Sequence, residues 1–346
     1  MSTKTQHSII EVARLANVSV TTVSRVLSGS AYPVSKDKRK RILEAAASLN
    51  YSPSALAKAM VTGDTRMVGV IVGDATDPYF ATIVRGVEDA AREHGYLVVV
   101  CNSDRNPQVE MSYLKTLNDY RVDGIIFAGG GIDDQKYIDE VAGIIEIFQE
   151  RGSVCVSLAR SHLPSYPVRV DNRQAVRDGV RHLVALGHTR IAYVSGPELL
   201  TTTHSRLDGY RNAVKEFKVD EKTELILSGN YTFRSGVEAA HTVHAMQVKP
   251  TAVLASNDMM AIGCLVGLKE LGYQVPQDIS VIGIDDIAFA QFVDPPLTTV
   301  SIPMYELGKT GMENLIALRQ GVKPEKEMVI LPHSLVVRKS TGRPKG

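Results

Sequence analysis

The sequence predicts an α/β protein in which an all-helical head precedes a core of doubly wound parallel sheets. From residue 66 onward, short continuous apolar runs alternate with amphipathic stretches, as buried parallel strands and their connecting helices do. Residues 1–52 show three short stretches with helical spacing instead. Charge divides the chain similarly, because residues 1–62 carry nine basic and three acidic residues, whereas the rest carries 30 basic and 35 acidic. A basic head indicates contact with a polyanion, although a solvated basic helix face would give the same count.

The composition is that of a folded protein, and the sequence motifs lead us to expect no resident metal or cofactor. Hydrophobic residues make up 44% of the 346 residues and charged residues 22%, which excludes a disordered chain. The sequence has no apolar run near 18 residues and no apolar signal core, so we expect no membrane association and a cytoplasmic location. The three cysteines form no CxxC pair, which argues against structural zinc and disulfides. Familiar catalytic motifs are absent from the sequence, and we expect neither a cofactor nor an enzymatic activity.

Three short helices are predicted in the head. Ser8 followed by Glu11 forms a capping box for the first helix, and Asn17 suits a left-handed turn at its end. Ser19 can cap a second helix. A third helix begins near Ser35 and carries basic residues in its first turns. Two short helices joined by a tight turn describe a helix-turn-helix.

The polar face of the second helix predicts contact with DNA. In a helix-turn-helix this element fits the major groove, where Arg25 can grip guanine O6 and N7 and Thr21 can reach a base edge. Val20 would border the groove, and Ser19 would hold a phosphate. A three-helix protein-binding module would show the same pattern. The candidate DNA-binding residues here are Ser19, Val20, Thr21, Thr22, Ser24 and Arg25.

Several sequence runs, taken together, resemble one protein family. IIEVARLANVSVTTVSRVLSG resembles the head, and LNYSPSALAKAMVTG the hinge, of the lactose-repressor/galactose-repressor (LacI–GalR) family of bacterial transcriptional regulators. The similarity continues through GYLVVVCNS, VDGIIF, GHTRIAYVSGP, RLDGY, ASNDMMAIG, SVIGIDD and PPLTTVSIP, so it covers nearly the whole chain. Each run is modest by itself, but their order and spacing are specific. The resemblance implies a DNA-binding regulator.

The resemblance assigns residues 53–65 to a hinge helix and linker. Alanines favour helix there, but a helix this short is marginal alone in water. In the family, hinge helices pair across a dimer and push an apolar side chain into the minor groove. Met60 takes that position here, flanked by Ala57 and Lys58, and methionine can still act as a wedge. The same residues could form only a small packing stripe.

The core is expected to form two lobes, because it holds too many strands for one sheet. The predicted strands are 67–72, 96–100, 124–127, 154–158, 190–195, 252–256 and 280–284, with helices near 78–94, 107–120, 134–151, 172–186, 204–217, 233–246, 257–271 and 302–320. The resemblance implies a periplasmic-binding-protein-like fold with three chain crossings, near 164–167, 293–301 and 322–328. The expected N-terminal lobe comprises 66–166 and 301–324, and the C-terminal lobe 167–300 and 325–342.

Ligands of such sheets bind at the carboxyl ends of the strands. Asp77, Tyr79 and Phe80 follow the first strand, where rings can stack on a sugar or a base and the carboxylate can accept hydroxyls, although they may equally form a turn and core. The resemblance adds Arg206, from RLDGY, and Asp285, after SVIGI, as ligand contacts.

Further candidates come from other strand ends. Asn257 and Asp258 follow AVLAS, although Asn257 can simply cap its helix. Relatives place an aromatic wall near Tyr231 and Phe233. Many relatives also place an aspartate after the strand that matches VCVSL. This sequence has Leu158 at that position, and Arg160 follows two residues later. Arg160 can select a charged ligand, or it can lie on the surface. The full candidate set is Asp77, Tyr79, Phe80, Arg160, Thr202, Arg206, Tyr231, Phe233, Asn257, Asp258 and Asp285.

These expectations combine into a dimeric repressor controlled by a small molecule. The expected partners are a near-palindromic DNA operator, a second copy of the chain, and an effector that is a sugar or sugar derivative. A nucleoside- or purine-responsive regulator is the alternative effector class. A solute-binding receptor without DNA and an enzyme on a similar scaffold remain as other functions, opposed by the basic head and by the missing catalytic motifs.

Overall fold

The computed structural model describes residues 7–28, 32–52, 63–220 and 225–345. The chain forms two compact units, Met1–Thr65 and Arg66–Gly346. The predicted hinge residues Ala57, Lys58 and Met60 lie outside the described residues. Within the described ranges, no helix has both the length and the apolar character needed to cross a bilayer.

The head contains three helices, α1 Ile9–Ala16, α2 Val20–Leu27 and α3 Lys36–Ser48. The predicted capping box is confirmed: Ser8 Oγ accepts from the Glu11 amide, and the Glu11 carboxylate accepts from the Ser8 amide at 2.7 Å. Asn17 ends α1 with a φ of 51°, the left-handed turn that its position predicted. The three helices close around a small core of Val12, Ala13, Ala16, Val23, Val26, Ile42, Ala45 and Ala46.

The second unit alternates strands and helices as predicted. Its first half contains β1 Met67–Val72, α4 Pro78–Glu93, β2 Leu97–Asn102, α5 Pro107–Asp119, β3 Gly124–Phe127, α6 Gln135–Glu150, β4 Val154–Ser157 and β5 Tyr166–Val170. Its second half contains α7 Asn172–Ala185, β6 Ile191–Val194, α8 Thr201–Glu216, β7 Ile226–Leu227, α9 Phe233–Ala245, β8 Ala252–Ala255, α10 Asp258–Glu270, β9 Ser280–Asp285, β10 Thr298–Ser301, α11 Met304–Arg319, β11 Val329–Leu331 and β12 Ser334–Val336.

Two six-stranded sheets form the two lobes. The N-terminal lobe has the strand order β11-β5-β4-β3-β1-β2, with every pair parallel. The C-terminal lobe has the order β12-β10-β9-β8-β6-β7, in which only the edge strand β12 runs antiparallel to its neighbour. The prediction of a two-lobed, doubly wound α/β core is therefore confirmed.

The three chain crossings lie a few residues later than the sequence predicted. The chain leaves the N-terminal sheet after β5, returns between β10 and α11, and leaves again between β11 and β12, so the crossings fall at Asp171, at 302–303 and at 332–333. The first and third differences arise because β5 and β11, which were expected to fall mainly in the C-terminal lobe, pair in the N-terminal sheet. The second arises because part of the crossing expected at 293–301 forms strand β10. β11 is a three-residue edge strand without a buried residue, and the neighbouring β5 buries only Val168 and Val170, so neither shows the long apolar run of a strand buried on both faces.

Glycines let neighbouring helices of the core approach closely. A methyl group at Gly308 of α11 would overlap the carbonyl oxygen of Ile83 in α4, and one at Gly86 would overlap that of Tyr305. Helices α9 and α10 pack through glycines in the same way. These contacts hold the helices against the sheets whose strand ends carry the site.

Candidate nucleic-acid interface and ligand cleft

Helix α2 turns one face into the head core and presents the other to solvent. Val23 and Val26 are buried, whereas Val20 is 40% exposed and Thr21 is exposed. Arg25 is half-buried in the last turn. The predicted base-reading side chains therefore lie on the accessible side of a short, capped helix.

The start of α2 is fixed by hydrogen bonds within its first turn. Ser19 Oγ accepts from the Thr22 amide at 3.2 Å and bonds the Thr22 hydroxyl at 2.8 Å. Ser19 therefore caps the helix, and Thr22 supports that cap. Ser24 is half-buried. Basic side chains on the first turns of α3 are exposed, which gives the head a cationic surface.

A cleft opens between the two lobes at the carboxyl ends of the parallel strands. Its empty volume is about 850 Å³ with the open mouth included, in the range of small-molecule sites. The ends of β1, β2 and β3 form one wall and those of β8 and β9 the other. Of the predicted ligand-binding residues, those that line the cleft are Asp77, Tyr79, Phe80, Thr202, Arg206, Tyr231, Asn257 and Asp285.

Arg206 and Asp285 form a buried ion pair at the cleft surface. The Arg206 side chain is only 5% exposed, and its Nη2 donates to Asp285 Oδ1 at 3.1 Å. Its Nε donates to Asn172 Oδ1 at 2.8 Å, and Nη1 donates to the Ser256 carbonyl. Burial raises the pKa of Asp285, and the Arg206 cation opposes that rise. Three acceptors thus hold one guanidinium rigidly in a water-poor wall.

Asp77 combines a structural bond with an available oxygen. Its Oδ1 accepts from the Tyr79 amide at 3.0 Å and so caps α4, while its Oδ2 lies 3.7 Å from Arg105 Nη2. Burial raises the pKa of Asp77, and the Tyr79 hydrogen bond and the Arg105 cation oppose that rise. The cap and a binding role are compatible, because each uses a different oxygen.

An aromatic wall faces this carboxylate. The Arg105 guanidinium lies 5.8 Å from the Phe80 ring centre and 5.7 Å from that of Tyr231. The Tyr231 hydroxyl bonds Thr203 Oγ1 at 2.9 Å, and Asn257 Nδ2 donates to the Tyr231 carbonyl at 3.0 Å. Asn257 also caps α10, so it anchors the wall and the helix together.

Three predicted ligand-binding residues lie elsewhere. The Arg160 side chain is exposed. Its backbone carbonyl oxygen accepts a hydrogen bond from Thr201 Oγ1 at 2.5 Å. Phe233 is 39% exposed at the start of α9 and does not line the cleft. Asp258 is fully buried behind the wall, where it accepts from the Thr299 hydroxyl at 2.6 Å and the Ile287 amide at 2.9 Å. Asn257 precedes the helix with an extended backbone, whereas Asp258 is the first helical residue, and of the two only Asn257 lines the cleft.

Several residues that line the cleft were not predicted from the sequence. Ser103 and Arg105 follow β2, so the rule about strand ends could have found them. Glu110 and Tyr137 come from α5 and α6, and the Tyr137 hydroxyl donates to Glu110 Oε1. Burial raises the pKa of Glu110. No local sequence signal marks this pair, because the sheet alone brings the two helices together.

The lobes touch along one edge of the cleft through their backbones. The Thr201 amide donates to the Gly131 carbonyl at 2.9 Å, and the Asp133 amide donates to the Leu199 carbonyl at 2.8 Å. Gly130 lies against Thr202, where a methyl group would meet the threonine hydroxyl. The two lobes are therefore directly coupled beside the ligand space.

Known proteins share both parts of this chain. Residues 8–54 match the model of bacterial regulatory proteins of the lacI family, and residues 180–341 that of a periplasmic binding protein-like domain. Catabolite control protein A of Priestia megaterium is 35% identical over 340 residues, covering 96% of this chain and 99% of the relative. The Lac repressor dimer bound to operator and the anti-inducer ONPF matches with a TM-score of 0.85 at 28% identity, covering 97% of this chain and 99% of that one. A LacI family regulator from Enterococcus faecium with bound ribose matches with a TM-score of 0.71 at 29% identity, covering 81% and 100%.

A helix-turn-helix head joined in one chain to a two-lobed ligand cleft defines a ligand-controlled, DNA-binding regulator of transcription. The chain belongs to the lacI family of bacterial regulatory proteins, as its sequence runs implied. Members of this family are regulators and not enzymes.

Proposed function

We propose that the protein is a repressor that binds a near-palindromic operator as a homodimer, and that an effector in the cleft changes its operator affinity. The Lac repressor, similar along nearly the whole chain, is a dimer on its operator. A two-fold dimer reads two inverted half-sites, which is why a near-palindrome is expected. Such a protein works in the bacterial cytoplasm, beside the chromosome.

Helix α2 reads bases in the major groove. Arg25 donates two hydrogen bonds to one guanine, while Thr21 and Val20 contact neighbouring base edges. Ser19 and Thr22 hold a phosphate at the helix start, and Ser24 lies beside them. The exposure of Val20 and Thr21 opposite the buried Val23 supports this assignment.

The hinge acts at the operator centre. Met60 enters the minor groove as an apolar wedge, and Ala57 and Lys58 flank it. The support is the resemblance of LNYSPSALAKAMVTG to the hinge of the family.

A sugar or sugar derivative occupies the cleft, and the buried Arg206–Asp285 pair is the observation that carries this assignment. A guanidinium and carboxylate side by side offer one fixed donor and one fixed acceptor, which matches adjacent sugar hydroxyls. Asp77 adds a second acceptor, and the Phe80 and Tyr231 rings can cover an apolar sugar face. The ribose in the Enterococcus faecium relative supports the same class.

Effector binding is coupled to the operator through the lobes. A ligand that contacts both Asp77 and Arg206 favours one lobe arrangement, and that arrangement favours or disfavours the paired hinge helices. Such coupling between two sites amounts to about 1–3 kcal/mol in typical allosteric proteins.

A nucleoside is the second candidate effector. Tyr79, Phe80 and Tyr231 line the cleft together, and stacked rings of this kind suit a planar base as well as a sugar face. The cleft volume of about 850 Å³ accommodates either class.

Thermal shift measurements on the full chain test the effector class. Ribose, glucose, galactose and cellobiose form one panel, and adenosine, guanosine and cytidine another. A cognate ligand at a hundred times its Kd should raise the free energy of unfolding by about 2.7 kcal/mol. Stabilisation by a sugar that also changes operator affinity supports the proposal. Stabilisation by nucleosides alone supports the second candidate, and a chain that neither panel stabilises contradicts both.

A further inference from the structure

The Arg25 side chain is stacked on an aromatic ring that the sequence analysis did not single out. Its Cζ lies 3.7 Å from the centre of the Tyr32 ring. Arg25 stands in the last turn of α2, and Tyr32 stands just ahead of α3 and is 55% exposed. The contact therefore joins the end of the reading helix to the segment that follows it.

The short distance fixes the kind of contact. A guanidinium that pointed an N–H edge at the ring would hold Cζ farther away by one C–N bond, about 1.3 Å. A Cζ at 3.7 Å from the ring centre therefore places the guanidinium face on the ring, a cation–π stack.

Stacking and base reading use different parts of the same group. The stack covers one face of the Arg25 guanidinium, whereas two hydrogen bonds to guanine O6 and N7 leave from its edge. The ring also removes rotational freedom from a long, flexible side chain before DNA arrives. A pre-organised arginine loses less entropy on binding, so its contact contributes more to affinity.

We propose that Tyr32 is a positioning residue for sequence recognition: its ring holds the Arg25 guanidinium in the orientation that reads a guanine in each half-site. This inference rests on the proposed function, in which Arg25 contacts a base. Tyr32 then acts on operator affinity through Arg25 and through its ring, with no need of its hydroxyl.

The test compares two substitutions that separate the ring from the hydroxyl. Tyr32→Phe keeps the ring face, and Tyr32→Leu keeps bulk but removes the ring face. Each is made in the wild-type full-length chain and in Arg25→Ala, and Kd is measured by fluorescence anisotropy on an operator selected from randomised duplexes by the wild type. A random-sequence duplex and far-ultraviolet circular dichroism serve as controls for charge-driven binding and for folding.

The expected pattern is specific to a ring that acts through Arg25. Tyr32→Leu should weaken operator binding by about 5- to 30-fold, since two half-sites each lose an exposed cation–π contact. Tyr32→Phe should stay within about twofold of wild type, and Tyr32→Leu should change little in the Arg25→Ala background. Binding to the random duplex should be unaffected.

Four results would overturn the inference. If Tyr32→Leu binds as wild type, the stack has no consequence. If Tyr32→Phe binds as weakly as Tyr32→Leu, the hydroxyl contacts DNA instead. If Tyr32→Leu has its full effect without Arg25, the tyrosine acts independently. If Arg25→Ala itself keeps the guanine preference, the proposed base contact fails and this inference fails with it.

Discussion

At the scale of single residues, the most informative side chain is a buried arginine held by three acceptors. Arg206 bonds Asp285, Asn172 and the Ser256 carbonyl, and it lies in the wall of the cleft. Arg190 provides a matched comparison in the same lobe, because it is also buried and pairs with Asp220, yet does not line the cleft. The two arginines separate a binding role from a purely structural one.

Arg206→Ala is expected to remove the effector response and leave operator binding without effector intact. Effector affinity should fall at least about tenfold, since each hydrogen bond to a charged group contributes about 1.5–3 kcal/mol. Arg190→Ala should destabilise the core but keep effector affinity. Titration calorimetry and anisotropy measure the two properties, and an Arg206→Ala protein that still responds to effector would contradict this role.

Arg25→Ala is expected to relax base preference at one position in each half-site. Losing a bidentate contact to guanine should reduce discrimination at that position by about 1–3 kcal/mol. Anisotropy with operators changed at single base pairs locates the effect. Selectivity that is unchanged at every position would show that Arg25 does not read a base.

Asp258 is expected to make the core less stable as pH rises. Burial raises its pKa to about 6 from 3.8. At pH values between these two pKa values, Asp258 is protonated in the folded state and ionised in the unfolded chain. The free energy of unfolding should therefore fall by about 1–2 kcal/mol from pH 5 to pH 7.5. Urea unfolding at several pH values measures this decrease. The Asp258→Asn variant should lack it, whereas the control variant Asp119→Asn, changed at an exposed position, should show it in full. An equal decrease in wild type and Asp258→Asn would refute the assignment.

At the scale of elements, glycine contacts decide how closely helices pack. Gly308→Ala should destabilise the core by about 1–3 kcal/mol, because the new methyl group meets the Ile83 carbonyl and must push α11 away from α4. Gly143→Ala is the control, since nothing lies near that exposed position of α6, and it should stabilise by about 0.5–1 kcal/mol. Thermal unfolding of both variants checks the pair, and a shift of the same sign in both would refute the packing argument.

Elements with strong local signals were predictable, and short strands without a long apolar run were not. Ser8, Ser19 and Asn257 cap helices where the sequence indicated, because capping depends on a few neighbouring residues. Strands β5, β7, β10, β11 and β12 were not predicted, because each is only two to five residues long and lacks a long apolar run, even β10, which lies inside its sheet. The lobe crossings were misplaced for the same reason.

The residues of the cleft likewise divide into those with a local sequence signal and those without one. Asp77, Tyr79 and Asp285 were predictable from strand ends and from family runs. Glu110 and Tyr137 were not, since their contact depends on how α5 and α6 lie against the sheet. Asp258 does not line the cleft, because it begins α10 and its side chain is buried among hydrogen bonds from Thr299 and Ile287, which the strand-end rule does not reveal.

At the scale of the whole molecule, the two compact units differ in net charge and in the type of candidate site that they carry. The basic head carries the candidate DNA contacts, and the acidic core carries a cleft with a buried ion pair. The lobes that form this cleft are bonded to each other beside it through Gly131 and Thr201. A ligand that changes the lobe arrangement therefore acts on contacts that join the two lobes directly.

Selection of the full-length protein against randomised duplexes, repeated with the stabilising ligand present, measures operator recognition and its control by ligand in one experiment. We expect the recovered sequences to share an inverted repeat with a guanine in each half-site, and we expect Arg25→Ala to lose the preference for that guanine. We also expect ligand to change affinity for that repeat by about 5- to 150-fold. Recovery of sequences without any shared repeat, or a repeat whose affinity ignores every ligand that binds the core, would contradict the proposed function.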